Sequence, residues 1–538
     1  MRLRATPSLG CAALAIAVCA GGCHELETVG ILPADGGTVA TTTAGSDAGN
    51  VAETGDGFLV TIDDCRAGGP SNLDAATIAA LLQGGEGTEH AVRWLYPYDG
   101  TVFPDNLDAP LLMWDDGGVA EDAVYVHLHS SSFEYRGCLK PTAQGQVQLP
   151  PRAWSIAEAE TAGAAGPFSL EVSVLSDGRV LGPATEQIVI AAGSLPGSVY
   201  YMTTGSNLGI GLGKVIRVDP GKGPALVFGS AGCYGCHSIS ANGTRLLEYA
   251  NGIGSAFALG PSSSGSPPLV STAPGAESAT LTPDGSLYVA SAHPTGIGPK
   301  AYGTGVASAG LYETATGNLL GSGGVPTGAM TPMFSPDGSQ IAFNDFAIDG
   351  GKGLALMDFS LSARTASNYR GLFTSSSGYP AWPSFLPDGT AVVFQIGSAS
   401  DFTGGGAGLQ SSAPSAAQGD LYLVDTTTHT ATFLAQAMGF ASGGDGGAGA
   451  TYLPFGTGEA HQNFDPAVAP AASGGYAWVL FDSMRHYGNV GLLRQIWVAA
   501  IDVAADGTYA SDPSHPAFLL PGQEIGTGNF RAVPAPDL

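Results

Sequence analysis

A chain of 538 residues exceeds what one ordinary hydrophobic core holds, so two or more domains are expected. With 81 glycines, 12% charged and 44% hydrophobic residues, the composition excludes a disordered chain and suits turn-rich β structure better than helical bundles. A net charge of −27 with only 19 basic residues disfavours a nucleic-acid backbone or an anionic lipid surface as partner.

The N-terminus reads as an export signal over residues 1–22. Arg2 and Arg4 precede an apolar run at 9–20 that is too short to span a bilayer. The small residues Ala20, Gly21 and Gly22 then precede Cys23, as in a bacterial lipobox, although Ala20 stands where leucine is usual. Lipidation of Cys23 is expected, with plain signal-peptidase cleavage as the alternative. The expected location is the periplasm or outer membrane, with the lipid as the sole membrane attachment. Residues 23–56 are small, polar and Gly/Thr-rich, which predicts a flexible tether.

Residues 57–195 predict a β-sandwich of immunoglobulin or fibronectin type, from short strands separated by turn signals. One short helix is expected in "SNLDAATIAALLQGG", capped by Ser71 or Asn72. In "AVYVHLHS" alternation puts His127 and His129 on one strand face; with no acidic or cysteine partner evident in the sequence, they read as a solvent-facing pair. Cys65 and Cys138 are the cysteines left over once the signal, the lipid and the pair Cys233/Cys236 are accounted for, and one disulfide between them would close the count in an oxidising compartment.

A repeat fills residues 196–538. Its anchors are "SISANGTRLLEYA", "ATLTPDGSLYVASA", "PMFSPDGSQIAFND" and "PSFLPDGTAVVFQ", each a strand, a tight turn and a second strand. The turn glycines fall at 243, 285, 338 and 389, in steps of 42, 53 and 51 residues, and further strands follow each anchor. Four strands per unit at this period predict propeller blades. Six are expected, the first combining "SVYYMT", "KVIRVD" and "ALVFG" with the C-terminal "TGNFRAV"; a seventh could be hidden in the Gly-rich insertions at 403–420 or 439–450. The intact "SPDGSQIAF" at 335–343 resembles the signature of TolB-type, WD40-like (PD40) β-propellers. More closely, "YPYDGTVFPDNLDAPLLMW", "CYGCHSISANG", "GGYAWVLFDSMRHYGN" and "SHPAFLLPGQE" resemble exported bacterial lipoproteins that join a sandwich to such a propeller. The resemblance implies an all-β fold and leaves function open.

Cys233, Cys236 and His237 in "CYGCH" have the spacing of covalent c-type haem attachment. The two thiols would form thioethers and His237 would be the proximal iron ligand. A redox dithiol, a zinc site and a structural CxxC disulfide are the competing readings. Counting back from the turns puts Cys236 level with Ser278, Thr331, Trp382 and His461, on one rim of the propeller channel. His461 and then Met330 are the expected distal ligands, ahead of Met202 and Met333, and Trp382 is a candidate to pack on the ring. His486 and His515 show no catalytic partner, and no nucleotide-binding or hydrolase motif stands in a suitable context. The expectation is one covalent haem c in an envelope protein serving electron transfer or redox sensing, with an unknown redox or protein partner and no nucleic acid. A haem-free propeller that binds a protein or glycan is the alternative, and a haem enzyme such as a peroxidase is a third.

Overall fold

A computed structural model describes residues 50–54, 57–84, 92–160, 167–203, 213–230, 237–250, 253–260, 267–274, 278–292, 308–346, 350–397, 418–441, 450–491, 493–509 and 511–536. The signal region 1–22, Cys23, Cys233 and Cys236 lie outside the described residues. The fold is all-β, with short helices only. Among the described residues no helix is long and apolar enough to cross a membrane.

The N-terminal part holds two sheets. One has seven strands, with His-bearing Ala123–His129 at its centre between Phe133–Leu139 and Phe168–Ser176. Its edge strand Asn50–Thr54 pairs with Gly57–Asp63, so part of the stretch read as tether is built into the sheet. The other has three strands, Arg93–Tyr96, Leu111–Asp115 and Gln146–Gln148. Strict alternation buries Val124, Val126 and Leu128 completely and turns Tyr125, His127 and His129 outward. The helix Ala75–Gln83 is capped by Asp74 rather than Ser71 or Asn72: its carboxylate accepts from the Thr77 amide at 2.8 Å. A disulfide joins Cys65 to Cys138 beside Ile78 and Leu81 of that helix.

Six four-stranded antiparallel sheets follow. The first is built from Ala225–Ser230, Gly213–Val218, Ser198–Thr203 and the C-terminal Asn529–Ala535. The other five take their strands in chain order, beginning at His237–Ile239, Ser278–Leu281, Ala329–Phe334, Tyr379–Phe385 and Asn463–Val468. Each of these five first strands, and Asn529–Ala535, touches the next; Asn529–Ala535 touches both Asn463–Val468 and His237–Ile239, so the contacts run round a ring.

Turn chemistry explains why the anchors look alike. Gly243, Gly285, Gly338 and Gly389 have φ between 72° and 74°, which glycine adopts at least cost. At each turn the preceding Asp or Asn carboxyl or amide oxygen binds the amide two residues on, for example Asp284 to Ser286 at 3.0 Å and Asn242 to Thr244 at 3.0 Å. "ANG" is thus the chemical equivalent of "PDG".

One continuous apolar core joins the N-terminal sheets to the last four-stranded sheet. Tyr98 stacks on Trp497 at 6.2 Å and Phe103 meets Phe518 at 5.1 Å. The Leu519 amide donates to the Tyr96 hydroxyl, and the Tyr98 hydroxyl donates to the His486 carbonyl, both at 3.3 Å. Three of the four segments that carry the family resemblance therefore meet at this junction.

Deleting residues 527–538 removes Asn529–Ala535, leaves Ser198–Thr203 as an unpaired edge and breaks the ring of contacts. The truncated chain is expected to aggregate and to lose the sharp unfolding transition of the full chain, measured by differential scanning calorimetry.

Candidate functional site

The first strands and Asn529–Ala535 surround a cavity of about 590 Å³. Prolines repeat along its wall: Pro332, Pro383, Pro466 and Pro534. A proline offers no amide donor, and its position on an inner edge strand spares the sheet a lost hydrogen bond. Before three of them, and at the matching place in the last strand, a non-glycine residue takes a left-handed backbone. Thr331, Trp382, Asp465 and Arg531 have φ of 46°, 54°, 51° and 55°. Each sits where strand register slips, so a bulge turns its side chain toward the cavity. Such conformations cost energy and concentrate at functional sites.

The polar groups that result form a buried set. The Arg531 guanidinium lies over the Trp382 ring at 3.7 Å. Thr331 Oγ1 accepts from the Trp382 amide at 3.2 Å. Arg494 is ion-paired with Asp482 and stands 3.8 Å from Asp465. The Arg531 amide donates to Asp482 at 3.2 Å. Burial pushes the Asp482 carboxyl up to about 8 against the pull of Arg494, with the Asp465 charge adding to the rise; burial also raises Asp465. Two carboxyls buried side by side, near Arg494 and Arg531, are thus held toward the protonated form. Both Asp465 oxygens and Trp382 Nε1 are buried without a hydrogen-bond partner.

His237 lies on the same wall and is 3% exposed. Its Nε2 reaches the Tyr200 carbonyl at 3.4 Å, and its Nδ1 is buried without a partner. Burial, reinforced by the nearby Arg531 charge, lowers its pKa to about 3, so the ring is neutral at any ordinary pH. Cys236, which immediately precedes it, lies outside the described residues, as does Cys233.

The other expected ligands are arranged differently. His461 is in a short 3-10 turn ahead of Asn463–Val468, and its Nδ1 pairs with Asp420 at 2.7 Å. It is not among the residues lining the cavity, and Asp465 occupies the rim place expected for it. Thr331 and Trp382 stand seven residues before their turn glycines, but the residue seven after Asp465 is Ala472, so the last sheet has no glycine at that place from which to count; matching "TP" and "WP" to "DP" finds Asp465. Met330 is buried against Ala381 beside Trp382, away from the wall, and Met202 is buried within the first sheet. Met333 does line the cavity, with Thr280 Oγ1 3.6 Å from its sulfur. His486 and His515 pair with Glu459 and Asp502. His127 and His129 are joined by Glu134 and Glu171 from the neighbouring strands, partners that the sequence alone did not reveal. No sequence signal marked Arg531 or Asp482.

No family model and no curated protein matches the chain. Among solved structures it is similar to TolB from Acinetobacter baumannii, at 12% identity and a TM-score of 0.43, over 83% of this chain and 99% of that one. It is also similar to the hydrazine synthase of Kuenenia stuttgartiensis, at 10% identity and a TM-score of 0.31, over 54% of this chain and 70% of that one.

Because the Asp465/Asp482 set holds a proton that the unfolded chain releases near pH 4, this set makes the fold less stable as pH rises from about 4 toward 8. Asp465→Asn keeps a residue tolerant of the left-handed backbone and removes the charge that raises Asp482. Its thermal midpoint is expected to fall less than wild type between pH 5 and pH 8, each unit of Asp482 shift removed being worth about 1.4 kcal/mol.

Proposed function

We propose that this chain is an exported six-bladed β-propeller joined to a β-sandwich, and that one c-type haem is attached at the mouth of its central cavity for electron transfer or redox sensing. The ring of contacts through Asn529–Ala535 supports closure into a propeller. The observation that carries the haem reading is His237, the histidine of "CYGCH". It is neutral and buried on the cavity wall, with one ring nitrogen at a backbone carbonyl and the other unpartnered. A ligating histidine has this pattern, since the carbonyl fixes the ring and leaves the second nitrogen for the metal.

In this reading Cys233 and Cys236 form the thioethers and His237 is the proximal ligand. The bound group supplies one-electron chemistry. Of the expected distal ligands, Met333 replaces His461 and Met330 as first candidate, because it alone of the three lines the cavity. A methionine there favours a higher reduction potential than a second histidine. The lipid on Cys23 would tether the chain to the envelope. A second reading, a haem-free platform for a protein or glycan, is favoured by Trp382 Nε1 and the Asp465 oxygens on the same wall, which are buried without a hydrogen bond.

Expression in a host with cytochrome c maturation machinery tests the haem. Haem staining after denaturing electrophoresis is expected for wild type and lost in Cys233→Ser with Cys236→Ser. His237→Ala is expected to keep the covalent stain and lose the low-spin spectrum. An unstained wild-type band with Cys233 and Cys236 oxidised to each other would sink the haem reading and leave the binding platform.

A further inference from the structure

The outward face of the seven-stranded sheet carries a second cluster, remote in sequence from the "CYGCH" motif. His127 and His129 alternate onto one face of the central strand. Directly across from His127 on one side is Glu171, and directly across from His129 on the other is Glu134. One ligand atom from each of His127, His129 and Glu171 lies within 4.8 Å of the other two. The two carboxylate oxygens of Glu171 reach in two directions, Oε2 to His127 Nδ1 at 3.5 Å and Oε1 to His129 Nε2 at 4.0 Å.

We propose that His127 Nδ1, His129 Nε2 and the Glu171 carboxylate form a binding site for a divalent transition-metal ion of the zinc class. A zinc ion bound at about 2.0–2.2 Å in a tetrahedron separates its ligand atoms by about 3.3–3.6 Å; the Glu171–His127 spacing of 3.5 Å already matches, and the half-exposed His129 side chain, 4.0 Å from Glu171, would close by rotation. Imidazole and carboxylate together suit zinc; an all-oxygen set would be needed for calcium or magnesium.

The surrounding groups are those a metal site requires. His127 Nε2, the nitrogen turned away from the cluster, meets Glu134 Oε1 at 3.2 Å. Arg136 holds that same oxygen through Nη2 at 2.7 Å and Nε at 3.0 Å. A carboxylate on the far nitrogen fixes the tautomer with Nδ1 free for metal and makes the ring a better donor. Behind the strand, the fully buried Val124, Val126 and Leu128 hold it rigid. The histidine side chains are 19% and 38% exposed, so an ion can enter. Three protein ligands leave the fourth tetrahedral position to water or to a donor from a partner. The two imidazoles stack at 4.4 Å, which keeps both on the same side of the ion.

The test uses the mature chain without an affinity tag and with Cys233→Ser and Cys236→Ser, so that the thiols cannot hold the ion. After chelator treatment, Zn²⁺ is titrated by calorimetry, with bound metal counted by elemental analysis. One Zn²⁺ per chain is expected, with a rise in thermal midpoint and no competition from Mg²⁺. His129→Gln and Glu171→Gln should each abolish saturable binding while leaving the metal-free midpoint near that of the parent. Glu134→Gln, which of the three proposed ligands touches His127 alone, should weaken binding by about 10–100-fold. His486→Gln, in an unrelated His–Glu pair, should change nothing. Absence of saturable Zn²⁺ binding by the parent would overturn the proposal, as would unchanged binding in His129→Gln combined with Glu171→Gln.

Discussion

The structure depends on the pairing of the last strand, Asn529–Ala535, with Ser198–Thr203 of the first four-stranded sheet. Five sheets are each complete from consecutive strands, but the first has three strands from one end of the region and its fourth from the other. Backbone hydrogen bonds between residues more than 300 positions apart tie the two ends together, so the first sheet has an inner strand like the other five. The loop-closure cost of such a contact grows only logarithmically with its length. The gain is that the cavity wall is finished by a strand whose own residue, Arg531, lies over Trp382 from another sheet.

That wall shows how irregularity is placed to serve a site. A regular strand would alternate its side chains between its two neighbouring layers. At Thr331, Trp382, Asp465 and Arg531 a bulge and a left-handed residue break the alternation and present a side chain to the cavity instead. The proline that follows three of them cannot donate to a ladder and so costs no hydrogen bond on the inner edge. Packing elsewhere supports the strain: in the last sheet the second and third strands, Tyr476–Ser483 and Gln495–Asp502, are almost wholly buried.

Much of this was legible in the sequence where the signal is local. The "PDG" and "ANG" turns announce themselves because an Asx side chain and a positive-φ glycine are needed within four residues. The membership of "TGNFRAV" in the first sheet was also legible, since it was the strand that sheet lacked. His237 was singled out by spacing to its own neighbours. What failed was register counted from a turn glycine, because the last sheet has Ala472 at that place, and His461 was set where Asp465 stands. What stayed hidden was contact between strands: Glu134 and Glu171 join the histidines through pairings that no single strand's pattern encodes. The Asp74 cap was missed for a smaller reason, since Ser71, Asn72 and Asp74 all suit a cap and only the start of the helix decides among them.

Charge around the cavity runs against the charge of the whole chain. The protein carries −27, yet Arg531 lines the cavity and Arg494 stands beside Asp465 and Asp482, two carboxyls that burial holds toward the protonated form. Carboxyls held toward their neutral form leave the two guanidinium charges less compensated, in a buried setting where solvent screens little. The Arg531 charge also acts on His237, whose protonation is opposed by burial first and by Arg531 second. Holding His237 neutral and offering positive charge nearby are two consequences of one arrangement, set by a strand that arrives from the far end of the chain.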